Sequence, residues 1–491
     1  MEDQLALLEA LVEFDRTGPG LADRLTGALR EAIVAGRLVP GARLPSSRDL
    51  AADLRLSRGV VVEAYERLVA EGRLVSRRGS GTTVAPGEPD RRDSGRAGPG
   101  RRESERAEPG WVEPVNQVRP LRPGVPDLGM FPRTAWRRAY ERALRQARTA
   151  DLDYGDPAGA PRLRAELAGY LGRVRAARVR PGDLIATTGA GQAFGLVAGA
   201  LRAAGVDAVG MEDPGSASIR EHLVAHGLRL VPVPVDAGGL DVAALDRSGV
   251  RAVLVTPAHQ FPTGVVLAPD RRTALLDWAR RVDGLVVEDD YDAEFRYDRD
   301  PVGCLQGVAP DLVAHIGSAS KALAPALRLG WLVVPARWRA AVRAGKLAAD
   351  VCGPVLEQLA FAELLSTGGY DRHLRRLRRV YRIRRDAVVA AVRRHLPSAR
   401  VSGIAAGMHL VVELPDGTDD VALARAAGPA GLGALPLSRL RVDPGGPPGL
   451  VLGYATHPPD VLTQAVVTLA ALVAPAAGGG QEALSWSSSP V

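Results

Sequence analysis

Lysine is almost absent from this chain. Of its 63 lysine and arginine residues, only Lys321 and Lys346 are lysines. Arginine replaces lysine as a surface charge, but it keeps its proton and so cannot form an imine. A lysine needed for imine chemistry would therefore persist in a composition that favours arginine. A stray lysine in a loop is the alternative that this observation alone leaves open.

Cysteines and long apolar runs are also scarce. Cys304 and Cys352 match no metal-binding or redox spacing, which favours a reducing compartment. The first three residues include two acids and show no signal-peptide pattern. The most apolar late segment, residues 461–477, contains Thr and Gln and predicts an amphipathic helix rather than a membrane span. We therefore expect a cytoplasmic protein with no membrane partner.

The length and charge of the chain indicate several domains and an anionic partner. At 491 residues more than one domain is expected, and an apolar content of 46% supplies sizeable cores. The net charge of +7 suggests an anionic partner but does not locate its binding surface.

Two stretches carry candidate chemistry. Lys321 lies close to Ser318 and Ser320, and Arg328 follows seven residues later. Small hydroxyl residues can hold a phosphate, and arginine can contact one through forked hydrogen bonds. Residues 285–291 form an apolar run that ends in acids, which predicts a buried parallel strand delivering a carboxylate to the ligand-binding edge of a sheet.

The N-terminal region predicts two short helices joined by a tight turn. Residues 21–34 have apolar residues at helical spacing. Ser46 is expected to cap a helix that ends near Leu54, and Ser57 to cap a second helix from Arg58 to about residue 70. The second helix of such a pair enters the DNA major groove through its first residues.

A basic loop between two short β-like runs follows these helices. It contains Arg77, Arg78 and Gly79, and residues 21–85 hold eleven arginines against seven acidic residues. Glycine allows a close approach to phosphates and arginine neutralises them, so the loop is expected to be a DNA-binding wing. A small solvated helical domain is the alternative, but it does not explain why helices, caps and basic wing occur in this order.

Residues 43–51 and 57–72 resemble the winged helix-turn-helix of the GntR regulators. The later lysine, strand-end aspartate and phosphate-binding segments resemble fold-type I aminotransferases over roughly residues 115–475. Together they resemble the MocR-type subgroup of the GntR family. The fold implied is a winged helix-turn-helix at 15–85 and a flexible linker at 86–114. An α/β domain with a mostly parallel sheet and a small α+β C-terminal lobe spans 115–475, and a disordered tail spans 476–491.

The resemblance implies pyridoxal 5′-phosphate as cofactor, held by Lys321 as an internal aldimine. A carboxylate keeps the pyridine nitrogen protonated, which makes the ring an electron sink. Tyr154 would reach the cofactor phosphate of the neighbouring subunit in a homodimer. The cofactor-binding positions implied are Lys321, Asp289, Tyr291, Ser318, Ser320, Arg328, Gly189, Ala190, Tyr154 and His259. The DNA-binding positions expected are Arg48, Ser57, Arg58, Arg77, Arg78 and Gly79.

Several positions depart from the aminotransferase pattern. Ser216 replaces the aromatic residue that usually stacks on the pyridine ring, and Val451 replaces the arginine that usually clamps a substrate carboxylate. Both are expected on the amino-acid side of the pocket. Phe261 replaces the usual asparagine, so His259 or Gln260 is expected to bond the ring hydroxyl instead. Other arginines considered for the carboxylate are Arg122, Arg439 and Arg441.

Three functions are compatible with these motifs. One is a regulator of operator DNA whose aminotransferase-like domain senses a small-molecule effector. The others are a working aminotransferase with a basic extension and a fusion that has lost the cofactor. The winged helix, together with Ser216 and Val451, favours the regulator over the aminotransferase. The retained cofactor positions disfavour a fusion that has lost the cofactor. The effector is then either the cofactor itself or an amino acid.

Overall fold

The computed structural model describes residues 20–34, 37–77, 81–85, 119–297, 303–403 and 405–476. The chain divides into two compact units, residues 1–111 and 112–491, and each is described by itself. The predicted linker at 86–114 and nearly all of the predicted tail at 476–491 lie outside the described residues. No helix in the described ranges has the length and apolarity that crossing a membrane requires.

The first unit contains three helices and a small antiparallel sheet. Its helices are α1 (Leu21–Val34), α2 (Ser47–Leu54) and α3 (Arg58–Ala70), and its strands are β1 (Arg43–Leu44), β2 (Leu74–Arg77) and β3 (Gly81–Val84). The strand order is β1-β3-β2, so β2 and β3 form the hairpin of a wing. The predicted helices and their bounds are confirmed, and so is the winged helix-turn-helix.

Local capping explains where α2 and α3 begin. The Ser46 hydroxyl accepts the backbone N–H of Asp49 at 3.2 Å, and the Ser57 hydroxyl accepts that of Val60 at 3.5 Å. Such caps satisfy donors that have no partner within the helix. The apolar faces of α1, α2 and α3 share one core. The Tyr65 hydroxyl fastens α3 to the preceding loop by donating to the Pro45 carbonyl at 3.0 Å.

The second unit is built on a mixed eight-stranded sheet of order β4-β11-β10-β9-β8-β5-β6-β7. Strands β10, β9, β8, β5 and β6 run parallel, whereas β11 and the edge strand β7 pair antiparallel with their neighbours. Its strands are β4 (Leu184–Thr187), β5 (Ala208–Asp213), β6 (Arg229–Asp236), β7 (Gly239–Leu240), β8 (Ala252–Val255), β9 (Leu285–Asp290), β10 (Val313–Ser318) and β11 (Gly330–Val333).

Helices cover this sheet and extend into a smaller lobe. The helices are α4 (Arg133–Gln146), α5 (Pro161–Arg175), α6 (Ala190–Ala203), α7 (Ala217–Ala225), α8 (Val242–Arg247), α9 (Pro269–Arg281), α10 (Leu305–Val308), α11 (Ala336–Asp350), α12 (Val355–Ser366), α13 (Gly369–His395), α14 (Asp420–Ala427) and α15 (Pro459–Ala476). Strands β4, β8, β9 and β11 are buried along their whole length. Strands covered on both faces read as continuous apolar runs, which is the pattern of residues 285–287.

The smaller lobe has its own antiparallel sheet of order β12-β13-β15-β14. Its strands are β12 (Arg400–Ser402), β13 (His409–Glu413), β14 (Leu435–Pro436) and β15 (Gly449–Gly453). Helices α13 and α15 contribute apolar residues to the core that they share with this sheet. The predicted α/β domain with an α+β C-terminal lobe is confirmed.

Candidate functional site

A cavity of about 490 Å³ lies at the carboxyl ends of the parallel strands. Strand β9 delivers Asp289 and β10 delivers Ser318, because the strands run side by side with Asp289 opposite Ile316. The lining drawn from the expected cofactor residues is Lys321, Asp289, Tyr291, Ser318, Ser320, Arg328 and Ala190. Seven of the ten positions implied by the resemblance therefore meet in one cavity.

Lys321 is largely buried at this cavity. Its Nζ donates to the Gly124 carbonyl at 2.5 Å. Burial lowers the pKa of the Lys321 amine, and the nearby carboxylates of Asp292 and Asp289 counteract part of that effect. A depressed amine pKa increases the neutral fraction, which is the nucleophilic form that attacks a carbonyl.

Asp289 occupies the middle of three consecutive acids on β9. Burial raises the pKa of the Asp289 carboxyl to about 7, and the charges of Asp290 and Asp292 add to the effect. The two neighbouring acids are bound within the protein. Asp290 accepts a forked pair of hydrogen bonds from Arg175 at 2.7 and 3.0 Å. Glu288 accepts the backbone N–H of Leu305 at 2.9 Å. Only Asp289 of the three lines the cavity.

One end of the cavity gathers hydrogen-bond donors. Helix α6 begins at Ala190, and the first N–H groups of a helix have no partner within it. The guanidinium of Arg328 lies so close to Gly189 that a Cβ there would be 2.9 Å from Nη2. Within the described residues, the side chains of Ser318, Ser320 and Arg328 have no hydrogen-bond or ion-pair partner. Unpaired donors at a helix N-terminus match the geometry of a phosphate site.

Tyr291 is backed by a buried histidine and carboxylate. Its hydroxyl donates to the His259 carbonyl at 3.1 Å and lies 3.1 Å from His259 Nδ1. Nδ1 is also 3.0 Å from an oxygen of Asp292. His259 does not line the cavity, so its nearest route to a bound ring is through the Tyr291 hydroxyl. Its expected direct bond to the ring hydroxyl stays a prediction.

Ser216 opens a polar wall of the cavity. It caps α7, and its hydroxyl lies 3.1 Å from that of Ser218. Beside it, burial raises the pKa of Glu212 to about 7. The Glu212 carboxyl accepts the Thr256 hydroxyl at 2.6 Å. A residue in the place of the usual ring-stacking aromatic is therefore polar and adjoins a buried carboxyl.

Val451 does not line the cavity, which corrects the expectation that both departures face it. On β15 its side chain belongs to an apolar cluster with Val411, Leu437 and Leu440, and Phe261 packs against that cluster. A valine is too short to pass these neighbours. The three other candidate arginines, Arg122, Arg439 and Arg441, are also absent from the lining.

The remaining predicted positions lie away from the cavity. Tyr154 is 83% exposed, so its proposed contact across a homodimer stays a prediction. Arg48, Ser57 and Arg58 are exposed on the first unit, with the last two at the start of α3. Arg77 ends strand β2, and Arg78 and Gly79 lie outside the described residues.

The sequence reasoning missed several residues of the site. Gly124 binds the Lys321 amine from 197 residues away in the chain, and no local signal marks it. Asp292 lies two residues beyond the end of β9, where its side chain could have been assigned with the neighbouring acids. His409 lines the cavity, and burial lowers its pKa to about 4, which keeps the imidazole neutral.

The fold and the site define a winged-helix regulator joined to a fold-type I aminotransferase-like domain. Residues 21–84 match the bacterial regulatory proteins of the gntR family, and residues 124–467 match the aminotransferases of class I and II. The chain belongs to the MocR-type subgroup of the GntR transcriptional regulators.

Individual relatives match both units. The chain is 35% identical over 451 residues to the probable rhizopine catabolism regulatory protein MocR of Rhizobium meliloti, covering 90% of this chain and 91% of the relative. It is 36% identical over 450 residues to the pyridoxine biosynthesis transcriptional regulator PdxR of Corynebacterium glutamicum, covering 89% and 93%. Among solved structures, the α-aminoadipate aminotransferase LysN of Thermus thermophilus has a TM-score of 0.66 at 28% identity, covering 74% of this chain and 93% of LysN.

Proposed function

We propose that the cavity of this transcriptional regulator binds pyridoxal 5′-phosphate covalently through Lys321, and that its occupancy controls binding to operator DNA. The observation that carries the proposal is the convergence of Lys321, Asp289 and a set of unpaired phosphate donors on one cavity. The sizeable identity to PdxR, a regulator named for pyridoxine biosynthesis, supports a vitamin B6 compound as the ligand.

The residues present fit this cofactor. When bound, pyridoxal phosphate supplies an aldehyde that condenses with an amine and a ring that withdraws electrons when protonated. Lys321 would exchange its bond to the Gly124 carbonyl for the covalent link. Asp289 would hold the ring nitrogen, whose positive charge would offset the cost of burying this carboxylate. Ser318, Ser320, Arg328 and the first N–H groups of α6 would hold the phosphate.

The absorption spectrum of the purified protein tests the covalent link. With pyridoxal phosphate the wild-type protein should be yellow, whereas Lys321→Ala and the charge-preserving Lys321→Arg should both lack the visible band. Lys346 is the only other lysine, and its buried Nζ already pairs with Asp350 at 2.5 Å. A visible band that survives in both variants would show that Lys321 has been assigned wrongly.

For the first unit, we propose that the exposed N-terminus of α3 reads operator bases and that the wing contacts phosphates. Arg58→Ala should alter sequence preference by about 1–3 kcal/mol if this arginine bonds a base edge. Arg77→Ala should weaken binding to all sequences alike and flatten its salt dependence by about one unit. A selection experiment with random duplexes distinguishes the two effects. We propose that the protein acts in the cytoplasm, where it would meet its operator DNA.

A homodimer completes the proposed assembly. Tyr154, exposed in the single chain, would then contact the cofactor phosphate of the neighbouring subunit. The alternative function is an aminotransferase, and it is favoured by 31% identity over 343 residues to the 2-aminoadipate transaminase of Thermus thermophilus. Against it, Arg328 is the only arginine among the described residues that line the cavity, and it serves the phosphate end. Little is therefore left to clamp a substrate carboxylate.

A further inference from the structure

Helix α13 concentrates the positive charge of the protein. Between Gly369 and His395 it contains ten arginines and two aspartates, a net charge of +8. The whole chain carries +7, so the remaining residues together come to −1. The anionic partner suggested by the composition should therefore meet this helix, in addition to the winged helix.

The helix is divided into two faces. One face is buried in the core of the second unit through Leu374, Leu377, Tyr381, Val388 and Val392. The opposite face is exposed and follows the helical repeat along the whole element. Its exposed arginines are Arg372, Arg375, Arg376, Arg379, Arg382, Arg393 and Arg394.

Most of these exposed arginines have no structural task. The more buried arginines of α13 do: Arg384 pairs with Asp127 at 2.8 Å, and Arg378 donates to the Glu294 carbonyl at 2.7 Å. Six exposed ones, by contrast, make no hydrogen bond or ion pair with any part of the chain that the structure describes. We call this set the arginine face: Arg375, Arg376, Arg379, Arg382, Arg393 and Arg394.

We propose that the arginine face is a second DNA-binding surface, which contacts the phosphates of duplex DNA independently of its sequence. From Arg375 to Arg394 it extends about 28 Å along the helix axis, close to the ~34 Å of one turn of duplex. Duplex DNA presents about one charge per 1.7 Å of its axis, so several phosphates are within reach of this face. Arginine contacts phosphates through forked hydrogen bonds.

Charge and burial favour DNA over a membrane as the partner. A helix that binds a bilayer inserts its apolar face between lipids, but here that face is packed into the protein core. A regulator that already holds DNA through its winged helix also raises the local concentration of duplex near the second unit.

The salt dependence of binding to a mixed-sequence duplex of about 60 base pairs tests the proposal, because phosphate contacts ignore sequence. The test variant is the full chain with Arg376→Gln, Arg379→Gln and Arg382→Gln, since glutamine preserves helix propensity. The matched control replaces Arg229, Arg247 and Arg425 by glutamine. These three are exposed as well, and their side chains have no partner among the described residues.

Removing one phosphate-binding arginine should flatten the salt slope by about 0.9 and, at about 0.15 M salt, weaken binding roughly fivefold. The test variant should thus lose between about 5-fold and 100-fold in affinity, while the control stays near wild type. A second variant with lysine at the three test positions keeps the charge and should retain most of the affinity.

Two outcomes would overturn the proposal. If the test variant and the control have equal slopes and affinities, the arginine face does not touch DNA and serves another anionic partner. If the lysine variant loses as much affinity as the glutamine variant while its thermal unfolding stays unchanged, charge neutralisation is not the cause. Thermal unfolding of all three variants shows whether α13 is still folded, so a loss of structure is not mistaken for the removal of phosphate binding.

Discussion

Asp289 is held in an environment that opposes its charge. Burial raises the pKa of its carboxyl to about 7, so the folded protein without cofactor binds a proton more tightly than the unfolded chain does. The folded state therefore loses stability as the pH rises from the ordinary aspartate pKa, about 4, to about 7. A protonated ring nitrogen placed beside this carboxylate would remove that penalty.

Asp289→Asn should therefore act in opposite directions on the two forms of the protein. Without cofactor, the variant should be more stable than wild type at pH 8, by at most roughly 4 kcal/mol, and should gain little at pH 4. Its affinity for pyridoxal phosphate should fall by about tenfold or more, because the pyridinium loses its counter-charge. Thermal unfolding at the two pH values and a spectroscopic titration measure both effects.

Asp290→Asn is the matched control. Asp290 neutralises the buried Arg175, so its replacement should destabilise the protein even at pH 8. A loss of stability in Asp289→Asn at pH 8 would contradict the assigned role of that residue.

Residues adjacent in sequence could be predicted, and residues that meet only through the fold could not. Lys321, Asp289 and Arg328 stand in recognisable local patterns, and the structure brings them to one cavity. Gly124 offers a backbone carbonyl, which carries no signature in the side-chain sequence. Val451 lies in a segment that resembles the aminotransferase pattern. The direction of its side chain, however, depends on how β15 packs in the apolar cluster that Phe261 contacts.

At the scale of elements, the turn before α6 determines the shape of the cavity end where we propose that the phosphate binds. Gly189 has φ of 101°, a conformation that side chains disfavour, and the Arg328 guanidinium fills the space that a Cβ would need. On the other side, a Cβ at Gly330 would be 2.8 Å from the Cα of Gly189. Strand β11, the turn and α6 therefore fit together only with glycine at both positions.

Gly189→Ala should displace Arg328 and weaken pyridoxal phosphate binding by about tenfold or more, since the forked hydrogen bonds from this arginine to the phosphate can no longer form. The backbone strain adds a loss of about 1–3 kcal/mol in stability. Gly199→Ala provides the control in the same helix, because its Cβ would meet no atom within 4 Å and alanine favours helix. If Gly189→Ala binds the cofactor as tightly as the wild type, the assignment of Arg328 to the phosphate site is wrong.

Helix bounds in the first unit were predictable because local caps set them, as the bonds at Ser46 and Ser57 show. The mixed direction of the large sheet was not, because pairing direction depends on long-range contacts. Strand β11 runs antiparallel between β10 and β4, and nothing in its four residues indicates this.

For the whole molecule, the proposal requires that occupancy of the second unit changes how the first binds DNA. Such control needs two arrangements of the protein that differ in their affinity for DNA. A ligand shifts the equilibrium between them only as far as its own affinities for the two arrangements differ. Ser216 leaves no aromatic to stack on the ring from that position, and no arginine replaces the usual carboxylate clamp in the described lining. These features favour the cofactor itself as the signal.

Titration of cofactor-free protein with pyridoxal phosphate should change its affinity for a duplex selected by the protein from a random library. A coupling of about 1 kcal/mol, or roughly fivefold, is expected at saturation, and Lys321→Ala should show none. If affinity stays flat across saturation and changes only when an amino acid is added, the effector is the amino acid and the cofactor is its anchor.

Three consecutive carboxylates on β9 have a consequence for how the chain tolerates insertions. A strand shifted by one residue would still place an acid at the position of Asp289, so that position alone does not distinguish the correct alignment. The opposite face of the strand does distinguish it, because Arg175 donates hydrogen bonds to Asp290 and the Leu305 N–H donates to Glu288. An insertion within β9 should therefore destabilise the fold through contacts remote from the ligand, even where an acid still occupies the position of Asp289.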